Sequence, residues 1–231
     1  DCQHNLLLVL LAYAVAVAGC FATLDMAERQ SHCENRMGRR HWRMLGACCL
    51  AGGIWAMHFI GMLAFQAPLE VHYDAGLTAL SLIIALLAAW LAMNSLNRSD
   101  MRSRHLLQTA LFIGLGISAM HYTGMAALQT GARQYYNTTL LLTSIGLAIA
   151  SSLVALLMAR HFRNGSGTLH LLMKNGACLL MAGGIVLTHF TGMAAMTLVI
   201  PNDAALHMPV DDNSEHLALT IALITLLIGA V

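Results

Sequence analysis

Of the 231 residues, 58% are hydrophobic and 10% are charged, with a mean hydropathy of +0.68. Soluble domains carry about 25% charged residues, so this chain has more apolar surface than one water-soluble core can hide, and lipid must cover the rest. The net charge of +1 says nothing about nucleic acid, and none is expected as a partner; the few basic residues sit in short loops, which is a topology signal. The six cysteines show no CxxC spacing, and Cys20, Cys48, Cys49 and Cys178 lie inside apolar runs, where cysteine behaves as a small hydrophobe.

Apolar runs fall at about 6–25, 43–65, 75–96, 106–128, 138–159, 171–200 and 216–231. A helix needs about 20 residues to cross about 30 Å of hydrocarbon. The first run is not a signal peptide: no basic segment precedes it, and it ends at Asp25 without a small-residue cleavage site. The predicted fold is all-α, a polytopic membrane bundle of seven transmembrane helices in one domain over 1–231. It divides into three two-helix repeats at about 6–65, 75–128 and 138–200, followed by a seventh helix at 216–231. The chain starts at Asp1 and stops inside an apolar run at Val231, so a segment of a longer protein is expected.

The connections alternate in charge. Arg29, Arg36, Arg39, Arg40 and Arg43 follow the first run, and Arg98, Arg102 and Arg104 follow the third. Arg160 and Arg163 follow the fifth, with Lys174 just inside the sixth. Only Arg133, of the 12 basic residues, falls in the other set of loops. The positive-inside rule then places the N-terminus outside, in the periplasm, and the C-terminus in the cytoplasm. Asp25, at the inner end of the first helix, is expected to pair with a nearby arginine.

One motif recurs three times. Gly53–Phe65 reads GIWAMHFIGMLAF, Gly116–Leu128 reads GISAMHYTGMAAL and Gly184–Met196 reads GIVLTHFTGMAAM. His58, His121 and His189 are separated by 63 and 68 residues. Each repeat contains two crossings, so the copies run in the same direction and place their histidines at one depth, near the outer face. Histidine and the methionine four residues later share a helix face, and the intervening glycine allows close approach of a neighbouring helix or a bound group. Ionisable side chains inside a membrane are costly and mark functional sites.

The metal-ligand candidates are His58, His121 and His189 with Met62, Met125 and Met193. Met57 and Met120 precede two of the histidines and are weaker candidates, because Thr188 occupies the third such position. Imidazole and thioether without a nearby carboxylate favour copper, Cu(I) in particular, over zinc or iron; haem is a further candidate because histidine is a common axial ligand. His4, His72, His207 and His216 are expected on the same side as solvated loop residues. Two other functions use the same residues. A metal-ion or proton transporter or channel would need a polar exit path, which the apolar inner halves of the motif helices scarcely provide. A metal-dependent membrane enzyme would need a loop carboxylate such as Glu70, Asp74 or Asp203.

Met120-His121-Tyr122-Thr123 spells MHYT, and the other copies, MHFI and THFT, are variants of it. The sequence resembles the MHYT domain, a bacterial membrane sensor module, over nearly its whole length. The resemblance implies copper held through the motif His and Met residues, and sensing of a diatomic gas (oxygen, carbon monoxide or nitric oxide); a metal held by the three histidines would either bind the gas or change redox state. It also implies residence in the bacterial inner membrane and fusion to cytoplasmic GGDEF and EAL domains that make and degrade cyclic di-GMP. Such an output domain would attach after Val231. The membrane segment itself is then a non-enzymatic sensor. Signalling fusions of this kind are often homodimers.

Overall fold

A computed structural model describes residues 3–66, 71–96, 103–130, 132–161, 168–199 and 213–230. It contains seven helices: α1 (Leu6–His32), α2 (Arg36–Ala64), α3 (Ala75–Leu96), α4 (Ser103–Ala126), α5 (Thr138–His161), α6 (Thr168–Ala194) and α7 (Asn213–Gly229). Six short strands accompany them: β1 (Gln3–His4), β2 (Phe65–Gln66), β3 (His72–Tyr73), β4 (Leu128–Gln129), β5 (Arg133–Tyr136) and β6 (Met196–Val199). The predicted all-α bundle of three repeats and an added helix is the observed architecture.

Helices α1 to α6 each pack on the next in chain order, and α6 returns to α1, closing a ring of six. The even-numbered helices also touch one another inside the ring. Large apolar side chains are exposed on the outside, for example Leu87, Phe112, Leu142, Leu180 and Leu226, which is the surface a bilayer covers. Among the described residues, α1, α2, α3, α5 and α6 are each long and apolar enough to span a membrane. The chain is a multi-pass membrane protein. The average of α4 is lowered by Arg104, His105, Gln108 and His121, although it stands in the ring as α2 and α6 do. The shorter α7 lies outside the ring against α2 and α1.

The helix ends differ from the apolar runs in two ways. Runs 6–25 and 43–65 extend into charged sequence, so the arginine-rich connection after the first run shrinks to Cys33, Glu34 and Asn35. Asn35 starts α2 by accepting a hydrogen bond from Met37 N at 3.0 Å, a standard N-cap. Conversely, run 171–200 does not remain helical: α6 ends at Ala194 and the following residues form β6. All three motif helices end in this way. Strand β1 pairs with β2, β3 with β4 and β5 with β6, all antiparallel. Each pair joins the entry of a repeat to its exit and satisfies backbone groups that a helix end leaves open.

The same end shows a threefold capping pattern. Asn5, Asp74 and Asn137 donate their backbone N–H to Ala64, Ala127 and Ala195 carbonyls at 2.9, 2.9 and 2.8 Å. Their side-chain oxygens accept from Leu7 N, Leu77 N and Thr139 N at 3.0, 2.7 and 3.0 Å. One residue thus starts the first helix of a repeat and fastens the end of the second. Asn137→Ala is expected to lower stability by about 1 kcal/mol, the usual value of an N-cap, measured by reversible unfolding in mixed micelles.

Candidate metal centre

The inner triangle of α2, α4 and α6 brings His58, His121 and His189 together on the bundle axis. They are 1%, 3% and 2% exposed, so the site is closed to bulk solvent. Their Nδ1 atoms form a triangle with sides of 3.0 Å (His58–His121), 3.1 Å (His58–His189) and 3.4 Å (His121–His189). The rings stand nearly perpendicular, at 79°, 89° and 90°.

The opposite edge of each ring is seated on the next motif helix. The ring of His58 lies on Gly124, that of His121 on Gly192 and that of His189 on Gly61. A Cβ added to any of these glycines would overlap the imidazole Nε2 and come within 2.8 or 2.9 Å of Cδ2. The arrangement is cyclic: α2 leans on α4, α4 on α6 and α6 on α2. The motif glycine therefore receives the histidine of the neighbouring repeat, which resolves the two roles left open for it. The aromatic residue after each histidine braces its own ring: Phe59, Tyr122 and Phe190 lie edge-on at 4.9 Å between centroids. Phe59 continues to Tyr73 and Tyr122 to Tyr136, the residues before the caps of the next repeat. Outside the helices, burial pushes the Tyr73 and Tyr136 phenols up from their usual range, so both stay neutral packing groups.

Neutral imidazole offers one donor and one acceptor nitrogen. Three Nδ1 atoms in mutual contact therefore cannot all be matched, since two of them must be alike, either both donors or both acceptors. A cation at the centre receives three lone pairs and removes the mismatch. Zinc-type bonds of about 2.0–2.1 Å with tetrahedral angles place ligand atoms about 3.3 Å apart, close to the observed triangle. The residues present fit three corners of one metal site, with the protonated Nε2 atoms turned to the glycines. Nε2 of His58 and of His121 is buried without a hydrogen-bond partner, so the glycine seat rather than a hydrogen-bond acceptor behind the ring orients it, unlike most metal-bound histidines. Among the described residues, this trio is the group of His, Cys, Asp and Glu side chains placed to hold a metal.

Met57, Met62, Met120, Met125 and Met193 are all buried, between 0% and 6% exposed, in the apolar core. Packing alone accounts for that burial. Of the loop candidates, Asp74 is engaged as the cap of α3, and Glu70, Asp203 and His207 lie outside the described residues, as do the side chains of His4 and His216. His72 sits in β3, with both ring nitrogens buried and lacking a hydrogen-bond partner. At the other end of the bundle, Asp25 pairs with Arg29 at 2.7 Å; Arg29 is helical rather than in a loop. Lys174 is buried there as well, 2.9 Å from Glu28 and 3.5 Å from Asp25, tying α6 to α1. The five described cysteines are free.

The sequence matches the family model described as a bacterial signalling protein N-terminal repeat (MHYT) over residues 52–109 and 114–172. These spans contain the first two motifs and about half of the chain. It is similar to the cyclic di-GMP phosphodiesterase NbdA of Pseudomonas aeruginosa, with 41% identity over 94% of this chain and 28% of the relative. It is also similar to the bifunctional diguanylate cyclase/cyclic di-GMP phosphodiesterase MucR of the same organism, with 40% identity over 84% of the chain and 28% of the relative. The signaling protein YkoW of Bacillus subtilis is 26% identical over 84% of the chain and 24% of its own length. The chain thus spans about a quarter of the length of these relatives, and no solved structure matches it. With three MHYT-type motifs meeting on one axis and a matching family model, the chain belongs to the MHYT family of bacterial signalling-protein repeats.

Proposed function

We propose that the chain is the sensor module of a cyclic di-GMP signalling protein, built around a metal held by His58, His121 and His189. The observation that carries this reading is the buried triangle of Nδ1 atoms, which no set of tautomers satisfies and one cation does. Copper is the metal favoured by imidazole with thioether; Met62, Met125 and Met193 are the candidates for further ligands, and Met57 and Met120 the weaker ones. Bound copper would supply a redox couple and a position open to a diatomic gas such as oxygen, carbon monoxide or nitric oxide.

The alternation of basic loops supports an inner-membrane topology with the trio towards the periplasm and the C-terminus in the cytoplasm. Relatives named as cyclic di-GMP enzymes support a fused GGDEF or EAL output domain. A signal must reach it through helix packing, because a ligand shifts an equilibrium only by binding two packings differently. Helix α7 is the route. It packs on α2, and its buried or half-buried residues Leu217, Ile221, Ile224 and Ile228 lie on or beside one face. A Cβ on Gly52 would meet Ile224 Cγ2 at 2.9 Å and Ile228 Cδ1 at 3.4 Å. Gly52 is less than two turns from His58 on the same helix, so displacement of the histidine shaft moves the surface on which α7 rests.

An ion path is poorly served by this bundle, since the space on the inner side of the trio is apolar. Of the loop carboxylates that catalysis would need, Asp74 is already used as a cap. Elemental analysis of the purified chain tests the proposal: about one equivalent of copper is expected, without a Soret band. Metal-free protein that stays metal-free after copper loading would sink it, and a Soret band would replace copper with haem.

A further inference from the structure

On the inner side of the trio the bundle contains a partly open cavity of about 70 Å³. Its wall includes Ile54, Ile117 and Ile185, each one helical turn before a motif histidine, and Thr188, the residue before His189. The chain makes this space in two ways. Helices α3 and α5 present small side chains to it, Ala92 and Ala148 among them. In addition, one motif begins with threonine where the others have methionine: Met57 and Met120 do not line the cavity, whereas Thr188 does.

The cavity wall is also mainly apolar. Thr23, Ser151, Ser152 and Thr188 are its hydroxyl-bearing residues, and three of them donate to carbonyls one turn back, those of Gly19, Ala148 and Gly184, at 2.6, 2.7 and 2.9 Å. A buried water makes about three hydrogen bonds, and against this wall it meets Ser151 as the one donor not engaged in this way, which favours a non-polar occupant. An apolar cavity of about 150 Å³ in another protein stays empty of water and takes up benzene or xenon. At roughly half that size, this one suits two or three heavy atoms, and lipid, in which such molecules dissolve readily, surrounds the ring.

We propose that this cavity is a binding site for one small non-polar molecule, the size of a diatomic gas or a xenon atom, held on the inner side of the histidine trio and kept open by Thr188. Its connection to sensing rests on the metal reading above; its occupancy by a non-polar atom does not. Xenon is the probe. The metal-free chain in phospholipid nanodiscs is expected to show one saturable xenon site by xenon NMR. Thr188→Met is expected to abolish it and to remain folded, because α2 and α4 accommodate methionine at Met57 and Met120. Ala92→Leu, which fills the cavity from α3, is the second variant, and an unchanged thermal transition establishes folding for both. Absence of a saturable site in the wild type, equal xenon binding in a folded variant, or water or an acyl chain found in the cavity overturns the proposal. Copper loading of the same samples after the xenon measurement separates the two readings: a wild type that binds xenon and takes up no copper leaves the cavity standing and removes the metal site.

Discussion

His58→Ala is expected to abolish the stabilisation that metal confers on the chain. Metal bound to the folded state alone stabilises it by about 4 kcal/mol when free metal is about a thousandfold above Kd. The wild type should therefore lose about that much when a chelator is added. The variant should unfold at the same point with or without chelator, because two imidazoles remain where three converged. The metal-free forms give a second reading. Three mutually close Nδ1 atoms contain at least one like-to-like contact, while the His121 and His189 left in the variant form an ordinary donor–acceptor pair. The lost ring costs packing, about 2–5 kcal/mol for a large buried side chain replaced by alanine, but relief of the mismatch offsets part of it. Unfolding curves of both proteins, with and without chelator, check the prediction. A chelator effect of equal size in both would place the metal elsewhere.

Gly124→Ala is expected to have the next largest effect, although it adds one methyl group and touches no ligand residue in its own repeat. Its Cβ would overlap Nε2 of His58 and come within 2.9 Å of Cδ2. The imidazole cannot give way freely, since its other edge lies against His121 and His189 and Phe59 braces its face. Overpacking of this kind costs about 1–3 kcal/mol, against a gain of about 1 kcal/mol for alanine over glycine in a helix. The net result should be lower stability together with copper affinity reduced by at least about tenfold, a ring displacement being comparable to loss of an orienting partner. Gly61→Ala and Gly192→Ala should behave alike, because each seats another of the three rings. Gly146→Ala is the control: a Cβ there meets nothing within 4 Å, so only the propensity gain remains. Isothermal copper titrations and unfolding of the four variants decide it. A Gly124→Ala protein with wild-type stability and copper affinity would contradict the seating of His58 on that glycine.

Some features escaped the sequence for local reasons. The strands of two to four residues lie within or beside apolar runs, where hydropathy cannot separate the last turn of a helix from a short strand. Run 171–200 is the clearest case. The cap signal was available, since Asn5, Asp74 and Asn137 each follow an aromatic ring (His4, Tyr73, Tyr136) at the start of a repeat. It is a weak signal, because Asn and Asp are common wherever a helix begins. The burial of Lys174 was hidden by its position: a basic residue at a helix end reads as interfacial unless the acidic partners, here on α1, are known to face it.

By itself the sequence determined the class of the protein, the number of helices, the threefold repeat and the common depth of the histidines. These follow from backbone rise, the cost of polar groups in lipid and the even number of crossings per repeat, all local or additive properties. Only the tertiary structure decided that the rings meet at Nδ1, that each rests on the glycine of the next repeat, and that Thr188 borders a largely apolar cavity. Those are contacts between side chains more than 60 residues apart. They depend on how each helix is rotated about its own axis, and that rotation is set by the neighbours closing the ring.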